Sequence, residues 1–165
     1  MIDGSTAFDW ACVKGHTDVV KAMLHHSERL GIDLNVGDIT ALMYACYFGK
    51  TDIVEFMLRF CRFYSRNNII KWNAQRSDGT TAFSLACQNG QTEIVKMFIE
   101  HSETLNIDLN IRDNEEKSPW MHACESNDPT IVRLLLQHPE LIDFKFCGDI
   151  QQISQEVLDV LENAH

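Results

Sequence analysis

Thirteen side chains in this 165-residue chain, seven histidines and six cysteines, could bind a metal or act as nucleophiles. Their spacing argues against both. His26, His101 and His138 share one helical phase but lie a whole repeat apart, so they line an edge and do not surround one ion. Adjacent His25 and His26 diverge on a helix. Four cysteines recur as Ala11-Cys12, Ala45-Cys46, Ala86-Cys87 and Ala123-Cys124, at spacings of 34, 41 and 37. On stacked helices such thiols stand roughly 8–10 Å apart, beyond the reach of a disulfide. Reduced core thiols of an intracellular protein are expected. Cys61 and Cys147 fall outside this series, and each is a buried thiol, a simply exposed one or a reactive one. No glycine loop for phosphate, Gly-x-Ser-x-Gly elbow or His-Glu-x-x-His helix occurs. The expectation is a chain without a catalytic site, metal or cofactor.

The elements that carry these residues are four aligned segments, beginning at Thr6, Thr40, Thr81 and Ser118 and ending at Leu24, Leu58, Ile99 and Leu136. Each opens with a hydroxyl residue suited to cap a helix, and Pro119 adds a first-turn proline. A short helix follows, stopped by Gly15, Gly49 or Gly90, with Asn127 in that place in the fourth copy. A second helix then carries Val19, Val20, Met23 and Leu24 on one face, and likewise Ile53, Val54, Met57, Leu58; Ile94, Val95, Phe98, Ile99; Ile131, Val132, Leu135, Leu136. One such hairpin cannot bury its face alone, whereas a stack can.

These residues resemble the ankyrin repeat. Its Thr-Pro-Leu-His tetrapeptide reads here Thr6-Ala7-Phe8-Asp9, Thr40-Ala41-Leu42-Met43, Thr81-Ala82-Phe83-Ser84 and Ser118-Pro119-Trp120-Met121. Its closing stretch survives as Ile32-Asp33-Leu34-Asn35 and Ile107-Asp108-Leu109-Asn110. The resemblance covers residues 2–144 and implies an all-α solenoid of helix-turn-helix units with short β-hairpin fingers. Repeat boundaries fall at about 2–36, 37–75, 76–112 and 113–144, and 145–165 reads as a capping helix. In that cap Asp149 is the N-cap, and Ile150, Ile153, Val157, Leu158 and Leu161 form an apolar stripe.

Three departures stand out. No repeat keeps the tetrapeptide histidine, so its hydrogen bond is replaced or lost. Glu116 stands where Gly79 stands in the preceding finger. After Leu58 the helical pattern continues through Cys61 and Tyr64, about two extra turns, which makes the second repeat the longest.

The family's partners usually lie on the concave side, so the resemblance implies a protein-binding module. Inner-helix positions three and four apart project together: Trp10, Val13 and Lys14; Tyr44, Tyr47 and Phe48; Leu85, Gln88 and Asn89; His122, Glu125 and Ser126. Trp and Tyr in an open groove are favoured hot spots, although Trp10 and Tyr44 also suit packing between repeats. Finger residues Ser77, Asp78, Asn114 and Glu115 form a second contact set. Arg59, Arg62 and Arg66 make a basic stripe that either receives an acidic peptide or is a solvated face, with Glu55 paired to Arg59. The resemblance also makes Asn35 and Asn110 look like the asparagines that an oxygen-sensing hydroxylase modifies.

The formal net charge of −10 disfavours nucleic acid and suits a basic protein partner. No apolar run reaches the ~20 residues needed to span a bilayer, and the first residues lack a signal peptide's basic start. A monomer in the cytoplasm or nucleus is expected. The alternative is a regulatory or structural segment of a larger multidomain enzyme or channel, suggested by a first repeat that begins almost at Met1.

Overall fold

The computed structural model describes residues 5–64, 69–126, 128–144 and 155–162. Asn127, the Asp149 cap, Ile150, Ile153, Cys147 and Arg66 lie outside the described residues, as do the side chains of Val157 and Leu161.

Four helical hairpins follow one another. They are α1 (Ala7–Lys14) with α2 (Thr17–Leu30), α3 (Ala41–Tyr47) with α4 (Thr51–Phe63), α5 (Ala82–Gln88) with α6 (Thr92–Leu105), and α7 (Pro119–Glu125) with α8 (Pro129–Leu136). A further helix, α9 (Gln155–Glu162), packs on α8. The short helices touch in the order α1, α3, α5, α7, and the long ones in the order α2, α4, α6, α8. This two-row stack is the solenoid that the pattern requires.

Local chemistry sets each hairpin. Thr6, Thr40, Thr81 and Ser118 hold extended backbone, and each accepts the N–H three residues on, from Asp9, Met43, Ser84 and Met121. At the other end Gly15, Gly49 and Gly90 are left-handed. There the N–H of the next residue closes onto the alanine carbonyl: His16 to Ala11 at 2.9 Å, Lys50 to Ala45 at 2.8 Å, Gln91 to Ala86 at 3.0 Å. The same closure leads the chain from inner to outer helix in the first three repeats.

Cys12, Cys46, Cys87 and Cys124 are free and buried beside these alanines, and Cys61 is free and buried as well. Burial is the main force lifting the Cys12 and Cys124 thiols to about 12 and the Cys61 thiol to about 11. It pushes Cys46 and Cys87 upward too, with the neighbouring ladder thiols adding to the shift.

The outer helices revise the expected lengths. α4 does run past Leu58, to Phe63, but α2 and α6 extend one residue further still beyond Leu24 and Ile99. The short member is α8. The extensions of α2 and α6 are polar in composition, and their continuity shows only in Ser27 and Ser102. Both are buried and bond back to Leu24 and Ile99 carbonyls at 2.9 Å. Among the described residues the fingers are tight turns without strands, and a single antiparallel bridge joins Gln75 and Thr81. Among the cap-helix side chains that are described, Val160, outside the expected stripe, is buried and Leu158 is half-buried.

Polar locks join successive repeats. Asn35 donates to the Ile69 carbonyl (2.9 Å) and accepts from the Lys71 N–H (2.8 Å). Asn73 does the same with Asn106 and Asp108, and Asn110 with Leu141 and Asp143. At the finger tips the Asp38 carboxylate accepts from the Ser77 N–H and hydroxyl, and Asn114 bonds the Asp78 and Ser77 carbonyls.

Candidate protein-binding surface

In α1 and α3 the fourth and seventh positions, and the residue after the seventh, share one face. Trp10, Tyr47 and Phe48 are 43%, 48% and 47% exposed there, while Val13 and Tyr44 are half-buried and Lys14 is exposed. Ser5, Asp9, Trp10, Val13, Tyr44 and Phe48 line a cavity of about 150 Å³ between α1 and α3. Tyr47 stands edge-on to Phe48, with ring centroids 4.9 Å apart. The Lys14 ammonium lies 5.8 Å from the Trp10 ring centroid, a cation–π distance. Aromatic walls around so small an apolar hollow suit one inserted side chain.

The tetrapeptide positions leave little polar surface facing the hollow. Asp9, which stands where the family has histidine, is itself buried. Its carboxylate accepts from the Thr6 N–H at 2.7 Å and the Thr6 hydroxyl at 2.8 Å, completing a capping box. In the third repeat Ser84 exchanges a hydroxyl bond with Thr81 at 3.0 Å. Met43 and Met121 fill the same place as buried apolar side chains.

Along the array the strip changes character. Leu85 and His122, expected on it, are buried at 4% and 6% exposure. In the third and fourth repeats this position is covered by its surroundings, whereas the equivalent Trp10 is open and Tyr44 half-buried. His122 Nε2 meets Asp113 Oδ2 at 2.8 Å. The other Asp113 oxygen accepts the Glu115 and Lys117 N–H groups at 2.9 Å each. His122 therefore anchors the fourth finger to α7. Gln88 remains exposed, and Asn89 is half-buried, its amide on the Leu85 carbonyl at 2.8 Å. Glu125 is held by Lys117 at 3.0 Å, and this bond is the main reason the Lys117 amine sits above its ordinary value.

The fingers rim the strip, and much of their polarity is spent on one another. Ser77 is bonded to Asp38, and Asn114 to the Ser77 carbonyl. Asp78 is gripped by Arg76, which holds its carboxyl well below the usual range. The Glu115 side chain is more exposed than that of Asp78, 78% against 45%, with Lys117 3.6 Å away. Asp38, Ser5 and Asp9 were not singled out from sequence. Asp9 could have been, since Thr-x-x-Asp is a capping-box signature; Asp38 pairs with a residue 39 positions away, which no local pattern shows.

On the convex side Arg59 pairs with Glu55 at 3.0 Å, as the spacing predicts, and Arg62 is exposed. Both arginines line a hollow of about 460 Å³ together with Met97, His101 and Phe63, the last 89% exposed. An aromatic group missed in the sequence lies across α2 and α4: His25 is 5.1 Å from Phe60, 5.8 Å from Tyr64 and 5.9 Å from Phe56. Among the described residues no group of three or more His, Cys, Asp or Glu could hold a metal ion. No described helix is long and apolar enough to cross a membrane.

Comparison with known families gives one description, "Ankyrin repeats (3 copies)", matched over residues 2–68 and 42–145. A search of curated proteins returned no match.

Proposed function

Because the chain belongs to the ankyrin-repeat family, whose repeats are generally protein–protein interaction modules, we propose that it is a non-catalytic module gripping a partner protein on its concave strip. The observation that carries this reading is the aromatic hollow. Trp10, Tyr44 and Phe48 wall it, Tyr47 extends it, and Val13 and Lys14 border it. Burying half-exposed aromatic rings against a partner stabilises a complex by about 1 kcal/mol or more per anchor. Gln88, Asn89, Glu125, Ser77, Asp78, Asn114 and Glu115 then supply a polar margin. The negative net charge favours a partner with a basic surface.

The working unit is residues 2–144, with 145–165 as its cap, acting as a monomer. Five described cysteines as free thiols support an intracellular setting. Arg59 and Arg62 are a lesser second surface, Arg59 being already paired. Asn35 and Asn110 are candidate hydroxylation sites, and intact mass after incubation with an asparaginyl hydroxylase would rise by about 16 Da per modified site.

The decisive experiment is affinity capture with the wild-type chain beside Tyr47→Ala/Phe48→Ala, with circular dichroism on both. Retained helicity with loss of the captured partner supports the trough. Undiminished capture by the double variant overturns it.

A further inference from the structure

The array has a face that looks like an internal interface yet has no neighbour among the described residues. The position held by Val19 is held in the next three repeats by Ile53, Ile94 and Ile131, each at most 1% exposed, whereas Val19 is 48% exposed. Met23 corresponds to Met57, Phe98 and Leu135, all fully buried, but is itself half-buried. Ala7 corresponds to Ala41, Ala82 and Pro119, all buried, but is exposed. These are the positions that each later repeat turns toward the repeat before it. The first repeat keeps them apolar where a terminal repeat needs a polar outer face.

The backbone repeats the message independently. Each interface is locked by an asparagine bridging a carbonyl and an N–H of the following repeat: Ile69 and Lys71, Asn106 and Asp108, Leu141 and Asp143. The same positions in the first repeat are the Gly31 carbonyl and the Asp33 N–H. Neither has a hydrogen-bond partner among the described residues. The apolar face and the two-point polar latch lie on the same side of the array.

We propose that this face, formed by Ala7, Val19, Met23, Gly31 and Asp33, docks a further helical hairpin of the same repeat type, in the register of the three interfaces already present. The docked unit supplies a small and aliphatic surface to α1 and α2. Its closing-loop asparagine donates to the Gly31 carbonyl and accepts from the Asp33 N–H. This surface is distinct from the trough and does not depend on what the trough binds.

The test joins a copy of residues 76–112 directly ahead of Met1 in the full chain. That junction places the copied Asn110 as far before Thr6 as Asn73 stands before Thr81. Hydrogen exchange is then compared with the parent chain. Amide exchange in α2 and at Asp33 should slow roughly tenfold or more. Replacing the copied Asn110 by Ala should remove the gain at Asp33 and leave that in α2. Val19→Glu with Met23→Glu should remove both; these side chains are already partly exposed, and circular dichroism of the unfused double variant checks that it folds. A copied hairpin that exchanges as open chain, with α2 and Asp33 unchanged, overturns the proposal. So does sedimentation showing that the unfused chain dimerises through this face and that Val19→Glu abolishes the dimer, because the occupant would then be a second copy.

Discussion

At the residue scale, the same residue type has different consequences according to its surroundings. Gly31 and Gly79 both have positive φ, at 61° and 85°. A Cβ on Gly31 would meet nothing within 4 Å, while one on Gly79 would come within 2.8 Å of the Asn114 backbone N and the Asp113 Cα. Gly31→Ala should therefore cost only the left-handed strain, about 1 kcal/mol. Gly79→Ala should cost roughly 2 kcal/mol more, because backbone cannot step aside. Urea unfolding of the two variants measures the difference, and equal midpoints would contradict the close finger contact. Asp113 gives a second test. It is buried and holds His122 and two N–H groups at once. Asp113→Ala should destabilise by about 3 kcal/mol. The rim carboxylate Asp38, though it too accepts two bonds, is exposed, and its alanine variant should cost about 1 kcal/mol.

At the scale of elements, the inner helices are defined by what they bury. Four equivalent thiols sit between helices, and desolvation raises them all. A thiol raised on folding ionises first in the unfolded chain, near pH 8.5. Its stabilising contribution is therefore complete below that pH and falls as pH climbs toward the folded values. Each thiol adds a slope of up to about 1.4 kcal/mol per pH unit across that window. Thermal denaturation from pH 7 to 10.5 should show a fall that is shallower in Cys87→Ala than in the parent, after allowing for the lower starting stability. The same burial makes the ladder inert: at pH 7.5 a thiol-modifying dye should leave Cys12, Cys46, Cys87 and Cys124 unlabelled until denaturant is added. Rapid labelling of the folded chain would mean that the hairpins are not stacked.

Over the whole molecule, each hairpin is stabilised by its neighbours, so the effect of a truncation depends on how many flank it. Ile94→Ala, between two repeats, should destabilise by about 3 kcal/mol. Val19→Ala, at the open face, should cost less than about 1 kcal/mol, and calorimetry of the two variants checks the contrast. Much of this architecture was legible in the chain. Thr6, Thr40, Thr81 and Ser118, the three glycines and the paired aliphatics recur in phase, and capping, left-handed turns and amphipathic faces are local properties. The extended α2 and α6 were not legible, because Glu28, Arg29, Glu100 and Glu103 hide the helical face that Ser27 and Ser102 bury. Nor was the inward turn of Leu85 and His122, since periodicity names a helix's face but not how far its neighbours cover it.

What the amino-acid order determined by itself is the repeat: which residues cap, which turn and which aliphatics must be buried, all acting within about twenty residues of one another. Tertiary structure alone decided which of the equivalent positions are open. Trp10 is half in solvent while His122 is sealed against Asp113, and Val19 is half in solvent while Ile53 is covered. Exposure depends on the presence and closeness of the next hairpin, and that distance is not written in any single repeat.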